Sequence, residues 1–380
     1  MRSRSIRACI ALATVVLSAV AATAKPNQAL AANGMLVGLY DPVQPIASPD
    51  KTFPALVKLH VQIIRIGLDW GATIARTKPA HPMDPADPAY NWAQFDTVAL
   101  NAQKHNIQVL FTIYGTPRWA NGGKRLNRAP KKMLYLRQFA FAAAKRYSGS
   151  YELPDGTVLP SVRRWMAWNE PNNPVFLQPQ YAKVGRRYIP IAAKNYAQMC
   201  TAVWAGVHAT NLKETVACGA TDPRGNNRPR SSRPSIAPLT FLRALKRYGL
   251  RDFDVYAHHP YYNSPTESPT TPPKAKTVVT LANINLLTTL LGRLYGPKKL
   301  WITEYGYQTK PPDPNYGVSW TKQAQYLTEA FAIARRNPRI TLMLWFLLRD
   351  EKRISGWQSG LITAAGKKKP AFTAFMRLRH

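Results

Sequence analysis

From residue 35 to the end of the chain, short apolar runs alternate with amphipathic stretches of helical period, and this alternation constrains the fold more than any single motif. The runs cover residues 35–40, 63–67, 107–114, 162–169, 215–220, 253–259, 300–304 and 340–346. They are short and apolar without a polar alternate face, as strands buried on both sides are. Between them, 91–105 sets Trp92, Phe95, Val98, Ala99 and Ala102 on one helical face, and 133–147 does the same with Leu134, Leu136, Phe139, Ala140 and Ala143. Segments 188–209, 238–248, 278–294, 320–336 and 370–378 continue the pattern, with a weaker helix at 53–60. Strict alternation of strand and helix implies a parallel sheet. Eight such units in about 350 residues imply closure into a single (β/α)8 TIM barrel of the α/β class, with no room for a second globular domain. Residues 79–90, 222–238 and 264–276, rich in Pro and polar residues, follow or nearly follow strand carboxyl ends, so they should rim the mouth of the barrel.

The barrel mouth is where side chains at strand ends are held for chemistry. Glu170 ends the run Trp165-Met166-Ala167-Trp168-Asn169-Glu170, and Glu304 ends Leu300-Trp301-Ile302-Thr303-Glu304. Two rigid carboxylates, far apart in sequence, are what cleavage of a glycosidic bond needs. One acid protonates the leaving oxygen, and one carboxylate attacks or steers water. The plain alternative is that each is a strand-end acid paired with one of the many basic residues. Arg65 lies inside the apolar run 63–67, and a buried arginine needs a carboxylate partner.

The first 31 residues read as a segment outside this fold. Arg2, Arg4 and Arg7 precede an apolar stretch, 9–22, too short to span a bilayer comfortably. Small-residue cleavage sites follow near residues 24 and 31. The pattern is that of a secretory signal peptide, with an uncleaved anchor as the alternative. The expected product, residues 32–380, is then a secreted barrel with no transmembrane segment, taken as a monomer. Of three cysteines, Cys9 leaves with the signal. Cys200 and Cys218 either form a disulfide, which export permits, or stay as two buried thiols. No cysteine or histidine spacing matches a metal site. The net charge of +33 favours anionic partners without specifying a fold. An acidic polysaccharide, an anionic envelope and nucleic acid are the candidates, and no nucleic-acid motif accompanies the charge.

Residues 168–172, Trp-Asn-Glu-Pro-Asn, on the fourth of eight strands, with a glutamate closing the seventh, resemble the clan A retaining glycoside hydrolases. Family 39 and its family 5-like relatives are the most similar. The likeness spans nearly all of residues 32–380, and 360–375 resembles the segment that closes the barrel in that clan. The resemblance implies Glu170 as general acid/base and Glu304 as nucleophile, with no metal or organic cofactor. It implies that Asn169 hydrogen-bonds the sugar 2-hydroxyl and that Arg65 contacts the nucleophile. In His259-Pro260-Tyr261, His259 would contact substrate or the acid/base network and the Tyr261 hydroxyl would hydrogen-bond Glu304, although the neighbouring His258 and Tyr262 blur the register. Trp345 would form the floor under the sugar whose bond is cleaved. Trp70, Tyr114, Trp119 and Tyr307 are further subsite candidates. This chain departs from familiar members in its strong positive charge and in lacking the β-sandwich that some of them add.

Three readings follow. The first is a secreted retaining glycosidase acting on a poly- or oligosaccharide, with the Arg-rich 222–238 loop pointing to an acidic glycan through Arg224, Arg228 and Arg230. That loop could instead be mobile. The second is a carbohydrate-binding barrel that no longer cleaves, against which the intact Asn169, Glu170 and Glu304 argue. The third is a basic envelope or nucleic-acid binder, supported by charge alone.

Overall fold

A computed structural model describes residues 34–211 and 213–378. The apolar segment 9–22 and both cleavage positions lie outside the described residues. The described residues form a closed barrel of eight parallel strands. These are β1 (Leu36–Tyr40), β2 (Ile63–Asp69), β3 (Gln108–Tyr114), β4 (Arg164–Ala167), β5 (Thr215–Thr221), β6 (Val255–His258), β7 (Lys299–Ile302) and β8 (Ile340–Phe346). Neighbours in sequence are neighbours in the barrel, and β8 closes onto β1 through Leu36↔Leu342 to Tyr40↔Phe346. The single (β/α)8 architecture read from the sequence is the one observed.

A helix follows each strand: α1 (Pro49–Lys58), α2 (Ala93–Lys104), α3 (Met133–Arg146), α4 (Ile191–His208), α5 (Pro238–Arg247), α6 (Asn285–Tyr295), α7 (Trp320–Arg336) and α8 (Pro370–Met376). The first helix starts at Pro49, four residues before its expected start, and two others start later than expected. Tyr188 belongs to a small antiparallel hairpin, Ala182–Val184 with Arg187–Ile189, and α4 begins only after Pro190. Val278 and Val279 are buried loop residues rather than helix. Their apolarity serves packing, and a short turn, Leu281–Asn283, capped by Thr280, precedes α6. Among the described residues, no helix is long and apolar enough to cross a membrane.

Strand alternation divides the core in two. Ile63, Leu110, Met166, Ala217, Val255, Ala257, Trp301, Leu342 and Leu344 fill the barrel interior. Ile64, Ile66, Phe111, Trp165, Ile302, Met343 and Trp345 face outward and pack under the helices. The strands approach closely where side chains are absent. A Cβ at Gly38 would lie 1.8 Å from the Ile63 carbonyl oxygen, so β1 and β2 could not pair as they do with any other residue there. Cys200 of α4 and Cys218 of β5 form a disulfide, with Cα atoms 6.0 Å apart.

Candidate active site

The fourth strand ends at Ala167, two residues earlier than its apolar pattern implied, because the chain turns sharply there. Trp168 (φ 67°) and Glu170 (φ 38°) both adopt left-handed backbone, as does Ala220 (φ 44°) on the neighbouring strand. Each such residue costs on the order of 1–3 kcal/mol, and such strain gathers at functional sites. The turn is held from several sides. Trp168 N–H donates to the Ile113 carbonyl (2.7 Å), its indole to the Phe176 carbonyl (2.8 Å), and Glu170 N–H to the Ala220 carbonyl (2.9 Å). Buried Asn172 fixes the following chain, donating to the carbonyls of Asp222 and Ile236 and accepting from Asp222 N–H. The result aims the Glu170 carboxyl across the barrel mouth.

On the opposite side, Glu304 follows β7 after Thr303. Arg65 reaches both walls from β2. Its Nη1 donates to Glu304 Oε1 at 2.6 Å, its Nη2 to Asn169 Oδ1 at 2.6 Å, and its Nε to Thr112 Oγ1 at 2.9 Å. Its guanidinium also lies over the Tyr40 ring, 4.1 Å from the centroid. A guanidinium that is 1% exposed is thus fully partnered. Because Asn169 turns its oxygen to Arg65, its amide N–H2 is left as a donor on the cavity wall.

His259, fully buried, joins the two carboxylates. Its Nδ1 lies 2.9 Å from Glu170 Oε1 and 3.6 Å from Glu304 Oε1, and its Nε2 lies 2.9 Å from Thr303 Oγ1. Tyr261 O–H donates to Glu304 Oε2 at 3.0 Å. His258 points elsewhere, to Thr221 Oγ1 and the Val279 carbonyl, and Tyr262 O–H donates to the Tyr316 carbonyl. The register left blurred in the sequence therefore places His259 and Tyr261 at the mouth. Within the cluster, one oxygen of Glu170, one of Glu304 and a ring nitrogen of His259 all lie within 4.8 Å of one another. By distance alone these three could ligate a cation, but the Arg65 guanidinium already sits on Glu304, and its charge opposes one.

Burial and nearby charges act strongly on Glu170, His259 and Tyr261. Burial raises the Glu170 pKa well above its ordinary value, and the nearby Asp222 charge adds to that, while Arg224, Arg65 and Asn173 act the other way. Burial pulls His259 down to about 4, so the imidazole is neutral at neutral pH. Tyr261 is pushed well above the phenol range by burial and by Glu304, which keeps it a proton donor.

These side chains open into a cavity of about 520 Å³ whose wall includes Asn169, Glu170, Tyr261 and Glu304. Tyr40, Phe346 and Trp357 line the Glu304 side, and Asn173, Asp222, Arg224 and Arg233 line the Glu170 side. Trp345 does not reach it. Its side chain is fully buried outside the barrel, its indole N–H donates to the Ser359 carbonyl at 2.9 Å, and its ring packs edge-on to Tyr305. The pairing Leu39↔Trp345 and Tyr40↔Phe346 turns Phe346 inward, so the expected aromatic floor is displaced by one residue. Three further aromatic candidates are also packing residues. Trp70 is fully buried and stacks on Phe139, Trp119 packs edge-on to Trp70, and Tyr307 stacks on Tyr262. Tyr114 lines a smaller cavity beside Asn169. Asn173, Asp222, Thr303 and Trp357 belong to the site and went unnoticed in the sequence. Asp222, an acid two residues past the 215–220 run and directly after the end of β5 at Thr221, carried much the same strand-end signal as Glu170 and Glu304.

Comparison with solved structures finds this barrel repeatedly among glycoside hydrolases. A family 39 glycoside hydrolase from the gut symbiont Bacteroides cellulosilyticus aligns over 91% of this chain and 64% of its own, at 18% identity and a TM-score of 0.61. A glucosidase from Croceicoccus marinus aligns over 90% and 66%, at 15% identity and a TM-score of 0.60. A psychrophilic family 10 endo-β-1,4-xylanase aligns over 91% and 98%, at 15% identity and a TM-score of 0.55. The chain thus spans about two thirds of the first two enzymes and nearly all of the third. At these identities the likeness is one of fold. No protein-family model matches the sequence, and no curated protein does. The class defined by fold and site is a (β/α)8 barrel with two glutamates facing each other across its mouth.

Proposed function

We propose that this chain is a retaining glycoside hydrolase that cleaves O-glycosidic bonds of a poly- or oligosaccharide by double displacement. The observation that carries this is the approach of Glu170 and Glu304 to within 4.8 Å at their nearest oxygens. Retention requires carboxyl groups about 5–5.5 Å apart, whereas inversion needs about 6.5–9.5 Å to admit a water.

The environments of the two glutamates support a division of roles. Glu170, its pKa raised by burial, holds the proton that the leaving oxygen must receive. Glu304 accepts hydrogen bonds from Arg65 and Tyr261, which orient it for attack on the anomeric carbon. As the C–O bond breaks, Glu170 gives up its proton to the departing oxygen, and Glu304 forms the glycosyl ester. The ionised Glu170 then takes a proton from water as that water displaces Glu304. Neutral His259 bridges the acid and Thr303, holding the Glu170 carboxyl in place without adding a charge. The free amide of Asn169 is placed to donate to a sugar hydroxyl beside the reacting carbon. The aromatic rings of Phe346 and Trp357 offer faces to the apolar side of a pyranose. The mechanism calls on no cofactor.

Export is part of the proposal. The basic and apolar N-terminal pattern supports it, and so does the Cys200–Cys218 disulfide, which persists in oxidising compartments. The test is a panel of aryl glycosides and polysaccharides, with Glu304→Gln and Glu170→Gln run in parallel. Turnover that disappears in Glu304→Gln is expected. Two variants with wild-type turnover would end the assignment.

A further inference from the structure

The cavity at the barrel mouth does not end at Glu170. Its wall residues Pro174, Val175 and Arg233 are shared with a second cavity of about 500 Å³, lined also by Arg125, Asn127, Gln178, Tyr181 and Ser232. Building from these contacts, and resting on the glycosidase reading above, we propose that this second cavity is an anion-binding subsite. It takes an acidic sugar on the leaving-group side of the cleaved bond, held by Arg125 and Arg233.

Position assigns the side. Glu170 protonates the departing oxygen, so the departing part of the substrate lies where Glu170 and the chain after it, Asn173 to Phe176, form the wall. The second cavity continues past that wall. At the opposite, Glu304 end, the lining is Tyr40, Phe346 and Trp357, with no lysine or arginine. The two arginines that line the mouth cavity, Arg224 and Arg233, are thus on the leaving-group side, while Arg65 lies beneath the Glu304 side, already paired with that carboxylate.

Charge assigns the ligand. The second cavity has arginines and no aspartate or glutamate in its lining. Arg224, in the first cavity, is 3.6 Å from Asp222 and partly neutralised. Among the described residues, Arg125 and Arg233 take part in no ion pair, so their guanidiniums are open to a carboxylate or sulfate. Surface arginines are common in so basic a chain, but these two converge on one concavity contiguous with the reacting groups.

The supporting loop is built rather than loose. Within 222–238, Asn226 accepts from Arg228 N–H and Ser235 N–H and donates to the Arg233 carbonyl, which fixes the backbone that carries Arg233. Asn227 accepts from Ala237 N–H. Gly225 packs so close that a Cβ would lie 2.2 Å from Ala237 N. Across the cleft, Asn127 donates to the carbonyls of Pro174 and Val175 and pins the dividing wall. Arg228 and Arg230, singled out with Arg224 from the sequence, line neither cavity. Arg230 lies over the Tyr188 ring of the hairpin, 5.7 Å from its centroid. Arg125 was not singled out at all.

The test compares kcat/KM for a uronate-bearing oligosaccharide with that for its carboxyl-reduced counterpart, in wild type and in Arg125→Gln/Arg233→Gln. The wild type should prefer the acidic form by about tenfold or more, less so at high salt, and the double variant should lose about tenfold of that ratio at an unchanged Tm. A sulfate-ester oligosaccharide run alongside distinguishes the two anions. A preference for it alone would assign the site to sulfate. A wild-type ratio near one for both anions, or a ratio unmoved by the double variant, would overturn the subsite. Aryl glycosides separate the two claims. If they are hydrolysed while the ratio stays near one, the subsite fails and the glycosidase stands. If no glycoside is cleaved, calorimetric binding of the acidic oligosaccharide, and its loss in the double variant, decides the subsite alone.

Discussion

Replacing Arg65 by methionine removes the charge that ties three strands to Glu304 while keeping the length of the side chain. At 2.6 Å, the Arg65–Glu304 attraction is about 6 kcal/mol at an effective dielectric of about 20. That is a gross figure, since both groups also lost their hydration on burial. Removing one partner of a buried pair leaves the other charge unpaired and costs about 3–5 kcal/mol. Arg65→Met should therefore lower unfolding free energy by about 3–5 kcal/mol at pH 7, measured by urea titration. Glu304 would keep the hydrogen bond from Tyr261. The double variant Arg65→Met/Glu304→Gln removes the stranded charge, so it should be more stable than Arg65→Met alone by at least about 1 kcal/mol. A single variant that loses under about 1 kcal/mol, or a cycle with no coupling, would refute the view that Arg65 and Glu304 form a stabilising buried pair.

Other expectations follow from the same geometry. Glu170→Gln should reduce kcat/KM by about 10²- to 10⁴-fold on sugars with poor leaving groups, and far less on activated aryl glycosides that need no acid, in steady-state assays. Burial holds His259 at about 4 in the fold against its ordinary 6.5. The unfolded chain takes up that proton first as pH falls, so stability should drop by about 3 kcal/mol between pH 6.5 and 4 from this group. Thermal melts of wild type against His259→Asn read this directly, and a variant with the same acid slope would count against it. Trp345→Ala should cost about 3–5 kcal/mol of stability, whereas Trp357→Ala should chiefly raise KM. Melts and kinetics together separate the two tryptophans. Cys218→Ala should cost about 3 kcal/mol through the disulfide alone, by denaturant titration against Cys200→Ala.

What the sequence revealed depended on how locally each feature is written. The eight strands were legible because strands covered on both faces are continuous apolar runs, and 340–346 matches β8 residue for residue. Arg65 stood out because a charge in such a run demands a partner. Glu170 and Glu304 stood out because they end two of the runs. The inward or outward sense of β8 was not legible. Leu344, Trp345 and Phe346 are all apolar, and only the pairing with β1 shows that Trp345 faces the helices. The same holds for Trp357, which reaches the cavity from a loop with no periodicity, packing against Tyr261 and Phe346 at 5.1 and 5.3 Å. Asn173 and Asp222 meet at 2.7 Å across two loops because Trp168, Glu170 and Ala220 take left-handed backbone, which nothing in their side chains announces. The arginines of 222–238 showed a charge but not which of them point into the mouth.

The most direct measurement follows the anomeric proton of the first-formed product by NMR, on whichever glycoside the wild type turns over fastest, before mutarotation sets in. Double displacement through Glu304 predicts a product with the anomeric configuration of the substrate. A product of inverted configuration would mean that water attacks directly, and that Glu304 is not the nucleophile.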